Sequence, residues 1–268
     1  PTHGENIMIT VPFFTTNSRG LTAPGRAAHM PRRLLASGYC ALIVATILLA
    51  PAVAFAQGNA KEIMAKPAVE LIEILKNPQA ATFEKAKACQ RLAIVGTKDA
   101  VPALAALLSD EKLNVYARTA LENIPGPEAA EALREAAKTL KGRPLVGVID
   151  SLGQLRDEDA IELLEKYLDD KDTSVASAAA VALGRIGTPM AADTLSYQIA
   201  DGSPVKIALA EAALKCADML DAAGEVVLAS DLCSWLLHKR PRLGESTLVP
   251  GETDLPAHIK DAALLGML

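Results

Sequence analysis

The chain has 268 residues, of which 50% are hydrophobic, only 3% are aromatic and 22% are charged, with a formal net charge of −5. This length and apolar content suffice for one large domain or one solenoid. The acidic balance argues against a nucleic-acid partner, whose recognition needs a basic stripe. It also argues against anionic membrane surfaces, which attract basic segments.

Residues 1–29 begin with proline rather than methionine and are mostly polar. We interpret them as an upstream or disordered extension. Met30 is the better start of the protein, and Met8 is the alternative.

Residues 30–56 are predicted to form a secretory signal peptide. Arg32 and Arg33 precede an apolar run, and Ala54-Phe-Ala56 matches a cleavage pattern directly before Gln57. We therefore expect export to the periplasm or the extracellular space, without stable membrane insertion after cleavage. An uncleaved membrane anchor is the alternative, because the apolar run approaches the lower spanning limit of about 17 residues.

Export would make the mature chain more acidic. Residues 1–56 hold four Lys or Arg and one Glu, so 23 basic and 31 acidic residues remain, a net charge of −8. The mature chain also keeps three of the four cysteines. We interpret Cys89 and Cys216 as buried free thiols, with a Cys216–Cys233 disulfide as the alternative in an oxidising compartment.

One short pattern recurs through the middle of the chain. It begins with a leucine near the end of a predicted helix, at intervals of 29, 31, 31 and 31 residues: Leu92, Leu121, Leu152, Leu183 and Leu214. Four residues before each leucine stands another small or branched apolar residue, and this spacing places an apolar stripe on one face of a helix.

After a tight turn, the pattern predicts the start of a further helix. An alanine opens it and a leucine follows four residues later, in the pairs Ala100 and Leu104, Ala129 and Leu133, Ala160 and Leu164, and Ala191 and Leu195. A single helix pair cannot bury both of its stripes, whereas stacked pairs share a continuous core. A period of about 30 residues therefore predicts a helical solenoid.

The ending Ala182-Leu-Gly-Arg-Ile-Gly187, the alanine-rich helices and the Ala-x-x-x-Leu helix starts resemble HEAT repeats, specifically the short HEAT-like repeats of the PBS-lyase type. The resemblance covers roughly residues 65–220. It implies an all-α fold, a right-handed α-solenoid of stacked antiparallel helix pairs, which we assign to residues 57–238. One copy departs from the pattern at Gly142-Arg-Pro144, where we expect a longer turn.

Two segments follow the solenoid. Residues 239–257 contain several prolines and glycines and are predicted to form an irregular loop. Residues 258–268 are predicted to begin a further repeat helix that is cut short.

We find no catalytic constellation, and we predict no cofactor and no metal site. The cysteines lack paired zinc spacing. The run Asp169-Asp-Lys-Asp172 lacks the glycine and the terminal glutamate of a calcium loop, so we interpret it as a turn with a helix N-cap.

The resemblance implies an interaction scaffold that binds a protein or peptide partner along the inner curve, which the second helices of such repeats line. The candidate partner-contacting residues are Arg118, Glu122, Asp150, Gln154 and Arg185. As an alternative to contacting a partner, Arg118 and Arg185 could pair with acidic residues of neighbouring repeats. Two other functions stay open: a solenoid module of a larger envelope protein with a functional domain beyond residue 268, and an enzyme of the bilin-lyase type.

Overall fold

The structure is a computed structural model that describes residues 60–199, 203–238 and 254–267. All of them belong to the second of two compact units, Val53–Leu268. The predicted extension, the predicted signal peptide and most of the predicted loop at 239–257 lie outside the described residues.

The described residues form thirteen α-helices in chain order. They are α1 at 60–65, α2 Ala68–Lys76, α3 Thr82–Val95, α4 Val101–Ala105, α5 Asn114–Asn123, α6 Pro127–Ala137, α7 Gly142–Leu155, α8 Ile161–Leu168, α9 Thr173–Ile186, α10 Pro189–Gln198, α11 Lys206–Ala222, α12 Val226–Leu237 and α13 Ala257–Leu265. Short 3₁₀ turns, Lys98–Ala100 and Glu158–Ala160, lead into α4 and α8.

From α2 onward, the helices pack in two layers. The second helices of successive pairs stack on one another: α3 on α5, α5 on α7, α7 on α9, α9 on α11 and α11 on α13. In the other layer, α4 packs on α2 and α6, and α10 packs on α8 and α12. This sequential packing is that of an α-solenoid, so the predicted fold class is confirmed.

The repeated apolar positions form the core between the layers. Leu92, Leu121, Leu152 and Leu183 are fully buried in the second helices. The alanines and leucines that open the first helices are buried as well. Each fully buried leucine contributes about 1.5–3 kcal/mol relative to exposure, so these repeated positions supply much of the stability.

The fifth leucine of the series is an exception. Leu214 is only partly buried, whereas Ala213 is completely buried. The buried positions of α9, such as Ala179, Ala182 and Leu183, recur on α11 after 30 residues rather than 31. The prediction of Leu214 as a core leucine is therefore wrong, because α11 is rotated by one residue and presents Ala213 to the core.

Small residues let the second helices approach one another closely. A Cβ atom added to Gly153 would lie 2.7 Å from the Cα atom of Ala182, and one added to Gly184 would lie 2.6 Å from the carbonyl oxygen of Ala212. Both glycines are therefore positions of backbone contact between neighbouring repeats.

The helix boundary at Gly142 differs from the prediction. The turn before α7 spans residues 138–141 and is as long as the turn at 169–172 before α9. Pro144 stands in the first turn of α7, where a backbone N–H has no intrahelical acceptor to lose. The expected longer turn at this copy is therefore wrong.

One further local prediction, the N-cap of α9, is confirmed. The side chain of Asp172 accepts a hydrogen bond from the backbone N–H of Ser174 at 2.9 Å and caps α9. Helix α13 packs on both α11 and α12, the position of a second helix, and the assignment of residues 258–268 to a shortened repeat stays a prediction. In the described part of the chain, no helix is long and apolar enough to cross a membrane.

Candidate functional site

The five candidate residues all lie on second helices. Arg118 and Glu122 belong to α5, Asp150 and Gln154 to α7, and Arg185 to α9. Because these three helices are neighbours in one layer, the candidates share one side of the solenoid.

Arg118 connects α5 to α7. Its Nη1 donates to the carbonyl oxygen of Gly147 at 2.7 Å and to Oγ of Ser151 at 2.9 Å. Ser151 is fully buried and in turn donates to Oε1 of Glu122 at 2.6 Å. Arg118 and Glu122 also form an ion pair at 3.7 Å. The guanidinium lies over Gly147, where a Cβ atom would stand 2.7 Å from Nε of the arginine.

Asp150 and Arg185 connect α7 to α9. Nη1 of Arg185 donates to Oδ1 of Asp150 in an ion pair, and both side chains keep partial exposure. Gln154, one turn further along α7, is exposed. Four of the five candidates thus make hydrogen bonds or ion pairs within the chain, and their role in contacting a partner stays a prediction.

A groove runs beside this network, across the N-terminal halves of the same helices. Its walls come from the start of α5, the first two turns of α7 and the start of α9. Val115, Val146 and Val181 contribute apolar side chains to it, while Arg118 and Asp150 contribute polar atoms.

A second cavity adjoins this one beside α11 and α13, and the two together are called the groove below. Ser177 on α9 lines both this first part and a second part formed by the start of α11 and the residues before α13. Ile207, Glu211 and Asp254 belong to the second part. The groove therefore crosses four second helices and reaches the N-terminal end of a fifth.

Several groove residues were missed by the sequence analysis. Val115, Val181 and Ile207 are exposed to 54%, 37% and 52% although they are large and apolar. Their signal in the sequence is weak, because each lies off the buried stripe of its helix. Exposed valine or isoleucine within an otherwise polar helix face is the pattern that could have found them.

The cysteines have no chemical role that the structure supports. Cys89 and Cys216 are buried free thiols, as the sequence predicted, and Cys233 is a buried free thiol too, so no Cys216–Cys233 disulfide is present. Burial raises the pKa of Cys89 and of Cys216 to about 12. Burial, with a smaller contribution from the Asp218 carboxylate, also raises the pKa of Cys233.

Metal ligands are not grouped in the described residues either. Among residues 60–199, 203–238 and 254–267, no cluster of three or more His, Cys, Asp or Glu side chains could hold a metal ion. The groove therefore offers apolar surface, carboxylates and hydrogen-bonding groups as its means of recognition.

Helix pairs that stack in two layers define a helical-repeat protein. Residues 146–215, from α7 into α11, match the family model described as HEAT repeats. This match supports a HEAT-repeat protein, a family that typically serves as a non-catalytic scaffold for protein interactions. No curated protein matches the chain.

Proposed function

We propose that this protein is an exported HEAT-repeat scaffold that binds a segment of a partner protein in the groove across α5, α7, α9 and α11. The observation that carries the proposal is that exposed apolar side chains on α5, α9 and α11 line these two adjoining cavities. Monomeric proteins leave few such side chains together unless they form a contact surface. The polar network beside them fixes the spacing of the helices and thereby the shape of the groove.

The groove can be tested with Val115→Asp combined with Ile207→Asp. Both side chains are more than half exposed, so the two carboxylates change the groove without entering the core. We expect the variant to keep the wild-type melting temperature and to lose the protein partners that the wild-type chain retains from an envelope extract, compared by quantitative mass spectrometry.

A matched control variant carries Val226→Asp and Val227→Asp. These valines are 58% and 75% exposed on α12, outside the groove. The control should retain the same partners as the wild type. Equal partner lists for all three proteins would contradict the groove as the binding site.

Export is the second part of the proposal and rests on the sequence of residues 30–56 alone. We expect the chain, expressed in a bacterium with its N-terminal residues intact, to be recovered from the periplasm or the medium with Gln57 as its first residue. N-terminal sequencing measures this directly. Recovery from the cytoplasm with residues 30–56 still attached would contradict export and leave the groove unaffected.

A further inference from the structure

Exposed apolar side chains line the groove on three of its four second helices. Val115 stands on α5, Val181 on α9 and Ile207 on α11, each at least one third exposed. Packed helices lie about 8–10 Å apart. The groove from α5 to α11 therefore spans about 24–30 Å, the length of roughly eight residues of extended chain.

The unpaired charges along the groove are mainly negative. The carboxylates of Glu111, Glu211 and Asp254 line it and make no hydrogen bond or ion pair within the described residues. Two further positive groups line it: Arg143 is exposed and has no partner in the described residues, whereas Lys206 is half-buried and already takes part in an interaction. Arg118 is already engaged by Gly147, Ser151 and Glu122.

The N-terminal ends of the helices partly offset this charge. A helix N-terminus carries about half a positive charge, and near α9 the carboxylate of Asp172 already accepts one of its free N–H groups. Glu111 and Asp254, which precede α5 and α13, make no such capping bond, and Glu211 lies in the second turn of α11. Each could gain a cationic partner without losing a contact to the described part of the chain.

We infer that the segment bound in the groove is a basic, extended peptide of about eight residues that carries Lys or Arg together with small apolar residues. This inference rests on the proposed groove function. The apolar side chains would cover Val115, Val181 and Ile207, while the cations would pair with Glu111, Glu211 and Asp254. An acidic segment would instead place its carboxylates beside these three unpaired carboxylates, which is unfavourable.

The experiment is a selection from a random decapeptide library displayed on phage, with the full chain immobilised. Parallel selections use the groove variant (Val115→Asp, Ile207→Asp) and a charge variant (Glu111→Lys, Glu211→Lys). A control carries Glu162→Lys and Glu165→Lys on α8, where both side chains are exposed and belong to the other layer. Dissociation constants of the enriched peptides are then measured by fluorescence anisotropy.

We expect enriched peptides with net positive charge that bind the groove variant poorly. The charge variant should bind them about tenfold more weakly at low salt, and the difference should shrink as salt screens the pairs. The control should bind like the wild type. Groove-dependent peptides that are neutral or acidic would overturn the basic preference and leave the proposed groove function standing. An absence of any groove-dependent peptide would overturn both.

Discussion

Gly153 and Gly184 stand where three neighbouring second helices come closest together. At both positions a Cβ atom would meet the backbone of the next helix, so no side-chain rotation can make room. Gly147 differs, because its near neighbour is the guanidinium of Arg118, the far end of a flexible side chain. Replacing a glycine of α7 by a larger residue should therefore have different consequences at Gly153 and at Gly147.

We expect Gly153→Ala to lower the free energy of unfolding by about 1–3 kcal/mol, because α7 and α9 must move apart. Gly147→Ala should change it by less than about 1 kcal/mol, since better helix propensity offsets a displaced Arg118. Urea denaturation measures both values. Equal effects of the two substitutions would show that the contact between α7 and α9 is looser than the structure has it.

The buried thiols predict how stability responds to alkaline pH. The pKa of Cys89 and of Cys216 is about 12 in the folded protein, above the ordinary value of 9.0. The unfolded chain therefore releases thiol protons first, and the stabilisation that is present below pH 9 is lost progressively between about pH 9 and 12.

The variant Cys89→Ala with Cys216→Ala should lack this contribution. Its free energy of unfolding, measured by urea denaturation from pH 7 to 11, should fall less steeply than that of the wild type above pH 9. Parallel curves for the two proteins would contradict the raised pKa. The wild-type thiols should also resist alkylation at pH 8 until urea unfolds the chain.

At the scale of the helices, Leu214 shows that the repeat period of the sequence differs from the period of the buried positions. Leu152 and Leu183 are completely buried in α7 and α9, whereas Leu214 in α11 is only partly buried. A strict 31-residue period would make all three equivalent. The core instead requires the face of α11 that fits against Gly184, and the small Ala212 and Ala213 stand on that face.

Alanine substitutions test this difference. Leu152→Ala and Leu183→Ala should each cost about 2–5 kcal/mol, because each leaves a cavity in the core. Leu214→Ala should cost only about 1 kcal/mol, since it removes less buried surface. Thermal and urea unfolding of the three variants provide the comparison. If Leu214→Ala lowered the free energy of unfolding as much as Leu183→Ala, the 31-residue period would hold for α11 as well.

At the scale of the whole described solenoid, contacts run from each helix pair to its neighbours. The second helix α7 packs on α5, α6 and α9, and it has no comparable contact with α2 or α12. Stability in such a stack is approximately the sum of each repeat and its two interfaces. A local defect should therefore weaken its neighbours more than the distant repeats.

We expect Leu152→Ala to raise amide hydrogen exchange in α5, α7 and α9 much more than in α2 and α12. Mass spectrometry of peptic fragments measures this profile under native conditions. The wild-type chain, measured in parallel, gives the reference rates. A uniform increase across all described helices would show a single cooperative unit instead.

The sequence by itself determined the helical class, the repeat and most of the core of this protein. Its spaced leucines and alanines can be buried only when helix pairs stack, and that requirement is local and periodic. The tertiary structure alone decided the one-residue rotation of α11, the use of Arg118 and Arg185 as links between repeats, and the groove. Those features depend on which surfaces of two helices, about 30 residues apart in the sequence, contact each other. The helical period of the sequence identifies the buried stripe of each helix, but it does not identify what the other faces contact.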